Sequence, residues 1–405
     1  MKVLQINTVS GYGSTGRIVV DLTKEMVKQG NEAFISYGQK DSKYKNSFRI
    51  GTFLENKCHN ILSRIFDRQG FYTSRGTNKL IKYINEINPD IVHLHNLHGN
   101  YININILFKF LSQSEIPVIW TLHDCWPFTG HCAYFDYVDC NKWIKGCYEC
   151  PLSKSYPPSI ILDNSKSNYN IKKKIFNGLS NMTIVTPSEW LAGLVKQSFL
   201  SKYDVTVINN GIDTNTFDIK DVNALKIKLR LENKIVLLGV SAEGFESRKG
   251  LKYFIELAKS LTSSYQLILI GATKNDCKQL PNNVIAISRT NNAKQLAEYY
   301  SLADIFLNPT LEDNFPTTNL EALACGTPVI TFNTGGSPEV VDETTGIVVD
   351  KMDSKGLLNA ILLMNRQFKK TNSLNCRKKA VEYYDKKRMY KKYLELYHLK
   401  TEVKC

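Results

Sequence analysis

The feature that most constrains this chain is a long alternation. Short apolar runs bounded by turn residues are each followed by a stretch with the spacing of an amphipathic helix. In the first half, strands are expected at Val3–Val9, Ala33–Tyr37, Ile91–His95, Pro117–Leu122 and Met182–Thr186. Helices are expected at Gly16–Gln29, Asn78–Ile87, Ile104–Gln113 and Glu189–Ser198. The second half repeats the pattern. Strands fall at Ile235–Val240, Gln266–Ile270, Val284–Ile287, Ile305–Leu307, Val329–Thr331 and Ile347–Val349, with helices at Leu251–Ser260, Ala293–Ser301, Asn319–Cys325 and Lys355–Leu363. Such an order argues for βαβ units built on parallel sheets, so the fold class is α/β. A chain of 405 residues is too long for one core and suits two doubly wound, Rossmann-like domains. The Asn-Gly turn in Asn209-Asn210-Gly211, after a strand at Val205–Ile208, marks the boundary. The expected division is 1–208, 209–385 and a basic C-terminal helix, 386–405, packing back on the first domain. Residues 40–77 and 123–180 lack the alternation and are read as insertions. In open parallel sheets ligands bind beyond the carboxyl ends of the strands, so the two domains are expected to face each other across a cleft.

Bulk properties exclude several classes. No apolar run is long enough to span a bilayer. The first apolar run, within Met1–Asn7, is a strand and far too short for a signal peptide, which points to the cytoplasm and to reduced cysteines. The net charge is +14, from 52 basic and 38 acidic residues, and residues 364–405 alone carry thirteen Lys or Arg against four Asp or Glu. Such an excess attracts anionic lipid, phosphorylated substrates or nucleic acid, or is simply a solvated helix face. The chain has no continuous basic–aromatic module, which argues against nucleic acid.

Gly11-Tyr12-Gly13-Ser14-Thr15-Gly16 follows the first strand and opens the first helix. The spacing is that of a dinucleotide loop, but the second strand ends Tyr37-Gly38-Gln39 without the acid that would hold a ribose. Two readings remain: a turn whose backbone N–H groups meet a phosphate, with Gly13, Gly16 and Arg17 nearby, or a tight strand–helix turn without a ligand.

The stretch from Asn308 to Ile330, with Glu312-Asp313-Asn314-Phe315-Pro316 and Glu321-Ala322-Leu323-Ala324-Cys325-Gly326-Thr327-Pro328, closely resembles the core signature of the retaining glycosyltransferase family four. The resemblance is clearest over residues 205–350 and in the Gly11–Arg17 loop. It implies two domains of the GT-B type, the first for the acceptor and the second for a nucleotide-sugar donor. It also implies sugar transfer with retention, no cofactor required for catalysis, and roles for individual residues. Glu321 matches the glutamate that binds the donor ribose, a pairing that suits a carboxylate accepting from two adjacent hydroxyls. The family's other glutamate falls on Asp313, a shorter acid. Asn314, Phe315 and Pro316 would hold the sugar ring with backbone groups. Lys249 matches a lysine on the donor diphosphate, and Arg248 stands near the place of an arginine that Ser241 or Ala242 fails to supply. Fixed positive charge there would meet the negative charge that grows on the leaving diphosphate. His123, at the end of Thr121-Leu122-His123-Asp124, matches a histidine beside donor sugar and acceptor; the other reading is a histidine satisfied within the fold. His93, His95 and Asn96 end the preceding strand and can line the same site. Gly335–Glu339 matches a late glycine-rich element.

By the same resemblance, the acceptor is a glycan or a polyprenyl-diphosphate-linked sugar, as in the assembly of lipopolysaccharide O-antigen, capsule or exopolysaccharide. Ile171–Leu179, with Lys172, Lys173 and Lys174, reads as a basic amphipathic helix able to touch anionic membrane. The alternatives are a sugar-nucleotide epimerase of the same architecture or a catalytically silent sugar-nucleotide-binding subunit. Five cysteines crowd residues 125–150, in a Cys-rich insertion placed at about 123–155. Cys132, Cys140, Cys147 and Cys150 are candidates for a structural zinc, tetrahedral through four thiolates; equally, they are reduced, partly buried cysteines.

Overall fold

The computed structural model describes residues 1–40, 43–242, 244, 245, 247–364 and 366–402. The chain divides into two compact units: Met1–Ile208 with Tyr390–Cys405, and Asn209–Met389.

The first unit is built on a seven-stranded parallel sheet in the order β3-β2-β1-β4-β5-β6-β7. Its strands are β1 (Lys2–Asn7), β2 (Glu32–Tyr37), β3 (Ser47–Arg49), β4 (Ile91–Leu94), β5 (Val118–Thr121), β6 (Met182–Thr186) and β7 (Val205–Val207). The order reverses between β1 and β4. Central strands covered on both faces read as near-continuous apolar runs, and β4, β5 and β6 are buried at every position. Residues 40–77 are more regular than expected. They hold β3 and the Phe53–Phe66 helix, whose Thr52 N-cap accepts from the Glu55 amide. That helix presents Phe53, Leu54 and Ile61 to solvent, so no clean apolar stripe announces it.

The second unit carries a six-stranded parallel sheet in the order β10-β9-β8-β11-β12-β13. Its strands are β8 (Ile235–Val240), β9 (Tyr265–Ile270), β10 (Val284–Ile287), β11 (Ile305–Asn308), β12 (Val329–Phe332) and β13 (Gly346–Val349). One apolar core lies on each face of this sheet. Val236, Leu238, Ile268 and Phe306 point to one; Leu237, Leu267, Leu269 and Ile305 point to the other. The two-residue period of a strand sorts them this way.

One further helix, Arg366–Tyr384 in the second unit, was not read from the sequence; in the basic segment expected as a C-terminal helix, the helix is Lys386–Glu402, which crosses the division between the units. In the latter, Tyr390, Tyr393, Leu394 and Tyr397 are buried on the first unit. No described helix is long and apolar enough to cross a membrane.

The Ile171–Leu179 segment is a correction. The helix there is Ser165–Phe176, and its apolar face is already used: Phe176 and Leu179 are in the core of the first unit. Lys172 is buried as well, its ammonium donating to the carbonyls of Trp126 (2.8 Å) and Thr129 (3.1 Å) and lying 3.4 Å from the Trp126 ring centre. A face committed to the core cannot enter a membrane surface.

Candidate functional site

In the second unit three segments at the carboxyl ends of β8, β11 and β12 are locked together by glycines. The turn Ser247–Lys249 lies against the loop after β11, where the Arg248 carbonyl accepts from the Leu311 amide (2.8 Å) and the Thr310 hydroxyl (3.3 Å). Gly250 follows at φ +81°, and a Cβ there would lie 2.2 Å from the Pro309 carbonyl oxygen. Gly335, at φ +55°, leaves no room either: its Cβ would sit 1.7 Å from the Asp313 carbonyl oxygen. Only glycine tolerates both the left-handed backbone and the contact.

This close packing sets the charges. Lys249 donates to Asp313 Oδ2 at 2.6 Å, pairing two residues 64 positions apart, both only about a quarter exposed. Asn314, Phe315 and Pro316 are buried and lead into the Thr317–Ala324 helix. Pro316 is its N-cap, and no side chain caps that end. A helix N-terminus without a side-chain cap leaves backbone N–H groups and a positive dipole end for an anion. One turn on, half-buried Glu321 accepts from the Tyr300 hydroxyl at 2.9 Å. Burial, then the Glu321 charge, hold the Tyr300 phenol well above its usual pKa, so it stays a donor. Asn319 accepts from the Asn308 side chain at 2.8 Å, which ties the helix to the end of β11. Glu339 is half-buried in the short turn Ser337–Val340.

In the first unit the Gly11–Gly16 loop closes on itself. The Gly11 amide donates to the Gly16 carbonyl (2.9 Å), and Arg17 Nε donates back to the Gly13 carbonyl (3.0 Å). The helix begins at Gly13, and a Cβ on Gly16 would press on Val9 Cγ2 and the Gly11 amide, 3.0 and 3.1 Å away. The tight turn is thus explained by packing, and its N-cap, Tyr12, makes no side-chain cap.

His123 sits just beyond β5, half-buried, its Nε2 3.1 Å from His95 Nδ1. Burial lowers its pKa to about 4, so the ring is neutral at pH 7. Its neighbour Asp124 takes a 2.6 Å hydrogen bond from His98 Nε2, and His98 Nδ1 lies 3.0 Å from the Tyr156 hydroxyl. Burial raises the Asp124 pKa, but the charge and hydrogen bond of His98 outweigh it, and the carboxyl is held low. His93, read from the sequence as lining the site, is instead fully buried between Thr121 (2.8 Å) and the Tyr397 hydroxyl (2.6 Å).

Cys132, Cys140, Cys147 and Cys150 all line one small cavity with His131 and Trp143. The thiols of Cys132 and Cys150 hydrogen-bond to each other, and Cys147 Sγ accepts from the Gly130 amide at 3.2 Å. Among the described residues no three His, Cys, Asp or Glu side chains are grouped to hold a metal ion. What visibly holds the insertion is aromatic packing of Phe128, Phe135 and Trp143, with ring centres 5.1–6.4 Å apart, together with buried Lys172.

Residues 15–216 match the model of Glycosyltransferase Family 4, and residues 232–366 match that of Glycosyl transferases group 1. The chain belongs to the family four glycosyltransferases. WcaC of Escherichia coli K12, named for glycosyl transfer in colanic acid biosynthesis, is 24% identical over 374 residues, covering 87% of this chain and 88% of its own. CapM of Staphylococcus aureus, named for capsular polysaccharide biosynthesis, is 27% identical over 215 residues, 49% of this chain and 56% of its own. Two solved structures share the fold. Sucrose-phosphate synthase from Thermosynechococcus elongatus has a TM-score of 0.72 at 17% identity, covering 98% of both chains. Anabaena HepE in complex with UDP has a TM-score of 0.70 at 16% identity, covering 98% of this chain and 99% of that one. The glycosyltransferase is therefore a GT-B protein, with the two parallel sheets described above.

For this glycosyltransferase the structure pairs Lys249 with Asp313 and sets both beside the loop that leads to Glu321. It places Gly13, Gly16 and His123 in the other unit. Sequence reasoning missed Tyr300, which has no local signal because it meets Glu321 from 21 residues away. It also missed Gln5. There a signal existed: a glutamine in the middle of the apolar run of a central strand has to find partners or destabilise the sheet.

Proposed function

We propose that this enzyme moves a sugar, with retention, from a nucleotide-diphosphate sugar to a glycan or polyprenyl-diphosphate-linked acceptor in surface-polysaccharide assembly. The observation that carries the donor side is the Lys249–Asp313 pair, at 2.6 Å, packed next to a helix N-terminus that no side chain caps, with Glu321 one turn further on. Lys249 and the helix N–H groups stabilise the leaving diphosphate; Arg248 adds charge from the same turn. Glu321, oriented by Tyr300, takes the ribose hydroxyls. Asp313 and the backbone of Asn314, Phe315 and Pro316 hold the sugar. His123 lies beside the transferred sugar. A donor phosphate oxygen takes the acceptor proton, and no side chain acts as nucleophile. The uridine nucleotide is favoured because HepE, of the same fold, holds UDP and UDP-glucose. The polysaccharide context rests on the names of WcaC and CapM.

Calorimetric titration of the intact protein with UDP, GDP and their glucose conjugates tests the donor reading. UDP is expected to bind, and Glu321→Ala to weaken it at least tenfold, in line with about 1.5–3 kcal/mol for hydrogen bonds to a charged group. Binding that is indifferent to Glu321 would sink the assignment. Release of an altered nucleotide sugar without any acceptor would favour an epimerase instead.

A further inference from the structure

A buried chain of hydrogen bonds runs from the first helix to His123, and each link fixes the next. Gln5 lies on β1 with His93 as its register partner on β4, and His95 follows two residues on. Gln5 Nε2 is 3.1 Å from the Val19 carbonyl and 2.5 Å from the Thr23 hydroxyl, which itself donates to Val19. A backbone carbonyl only accepts, so the amide nitrogen of Gln5 must face Val19 and its oxygen must face His95. That oxygen, Oε1, is 3.1 Å from His95 Nε2, and it too only accepts. His95 therefore carries its proton on Nε2. A neutral imidazole then has its lone pair on Nδ1, and Nδ1 is the atom 3.1 Å from His123 Nε2. The His123 proton is in turn forced onto Nε2, which leaves the lone pair on Nδ1.

We infer that Gln5 and His95 are positioning residues that lock His123 in the Nε2–H tautomer, so that toward a substrate hydroxyl its Nδ1 can only accept a hydrogen bond and never donate one. Both rings stay neutral because burial keeps the charged form of each unfavourable, and His93 and His123 further oppose a charge on His95. Other groups packed around the pair support this state. The His93 ring lies tilted, its centre 4.0 Å from that of His95, and is engaged by Thr121 and Tyr397; Asp124, the nearby carboxylate, is engaged by His98. A fixed tautomer matters because a sugar hydroxyl can bind either ring form, whereas a site that offers only an acceptor selects the hydroxyl's orientation. The role of Nδ1 toward a hydroxyl rests on the nucleotide-sugar reading; the relay does not.

Nitrogen-15 NMR of the histidine-labelled full chain reads the tautomer directly and needs no substrate. Wild-type His123 is expected to show a protonated Nε2 and an unprotonated Nδ1. Gln5→Met, close in shape, removes the acceptor for His95 Nε2–H, and the reversed pair with His123 protonated on Nδ1 becomes populated. A wild-type His123 protonated on Nδ1, or a tautomer unmoved in Gln5→Met, overturns the relay. Binding then tests its use. An asparagine amide oxygen falls near the place of Nδ1, so His123→Asn is expected to stay within about threefold of wild type, while His123→Leu loses about tenfold, the scale of one hydrogen bond. If the loss in His123→Leu affects UDP-glucose and spares UDP, the hydroxyl belongs to the donor sugar. If UDP-glucose binding is spared and only transfer to an acceptor falls, it belongs to the acceptor. If neither changes, the acceptor role of Nδ1 fails. Failure of wild type to bind UDP or UDP-glucose defeats the nucleotide-sugar reading and leaves the NMR result to decide the relay.

Discussion

Gly335→Ala should loosen the donor loop without replacing any side chain assigned to binding. The added methyl would lie 1.7 Å from the Asp313 carbonyl oxygen, less than half an ordinary contact, and that obstacle is backbone. Two costs add. Holding an L-residue in the left-handed region at φ +55° costs roughly 1–2 kcal/mol. Relieving the overlap by moving the loop adds roughly 1–3 kcal/mol, the usual range for overpacking. The total, about 2–5 kcal/mol, is a large part of what holds a domain together. Gly13→Ala is the internal control, since Gly13 has a similar φ of +63° but nothing within 4 Å of an added Cβ. It should incur only the backbone cost, about 1–2 kcal/mol. Hydrogen-exchange mass spectrometry of the intact protein separates the two substitutions by location. Peptides spanning 309–320 and 333–341 should exchange faster by roughly 1.5 to 3.5 orders of magnitude in Gly335→Ala, following the factor of ten per 1.4 kcal/mol. UDP affinity should fall with them. Unchanged exchange over 309–320, or an equal effect from Gly13→Ala, would refute the claim that this contact positions Asp313.

Three further outcomes follow from the same geometry. Tyr300→Phe deletes a buried hydroxyl that donates to Glu321, and it should cost about 1.5–3 kcal/mol, divided between urea stability and UDP affinity; no change in either would remove Tyr300 from the site. Lys249→Met leaves Asp313 without its 2.6 Å partner, so donor affinity and turnover should both drop, with Lys249→Arg recovering part of the loss; calorimetry and initial rates report both. Burial lowers the Lys172 pKa from its usual 10.5 to about 7. A base depressed on folding stabilises the protein above its unfolded pKa, and that contribution is lost as pH falls toward the folded value. Urea stability should therefore decline between about pH 10 and pH 7, and Lys172→Met should flatten that slope.

Much of the protein was legible in one dimension. Strands β6, β8 and β10 and the helices Ile104–Gln113 and Leu251–Ser260 lie where apolar period and turn residues placed them; for β6 and β8 this is because parallel strands buried on both faces are written as apolar runs, whereas β10 is a half-exposed edge strand. The acidic and glycine residues of the donor loop were visible too, since Lys249, Asp313, Glu321 and Gly335 sit in a recognisable local order. Their pairing was not. Lys249 and Asp313 are 64 residues apart, and only the neighbouring carboxyl ends of β8 and β11 bring them to 2.6 Å. The fate of Ile171–Leu179 shows the same limit from the other side. Its pattern of lysines and apolar residues is that of a surface helix, and the sequence has no means of saying that Trp126 and Thr129 wait with two carbonyls for Lys172. The sequence determined the class of fold and the kinds of groups at the donor loop, because periodicity and residue chemistry are local properties. The tertiary structure alone decided who neutralises whom, which tautomer His123 is given by Gln5 and His95, and which lysine is inside, because hydrogen bonds and ion pairs depend on distances that chain separation does not encode.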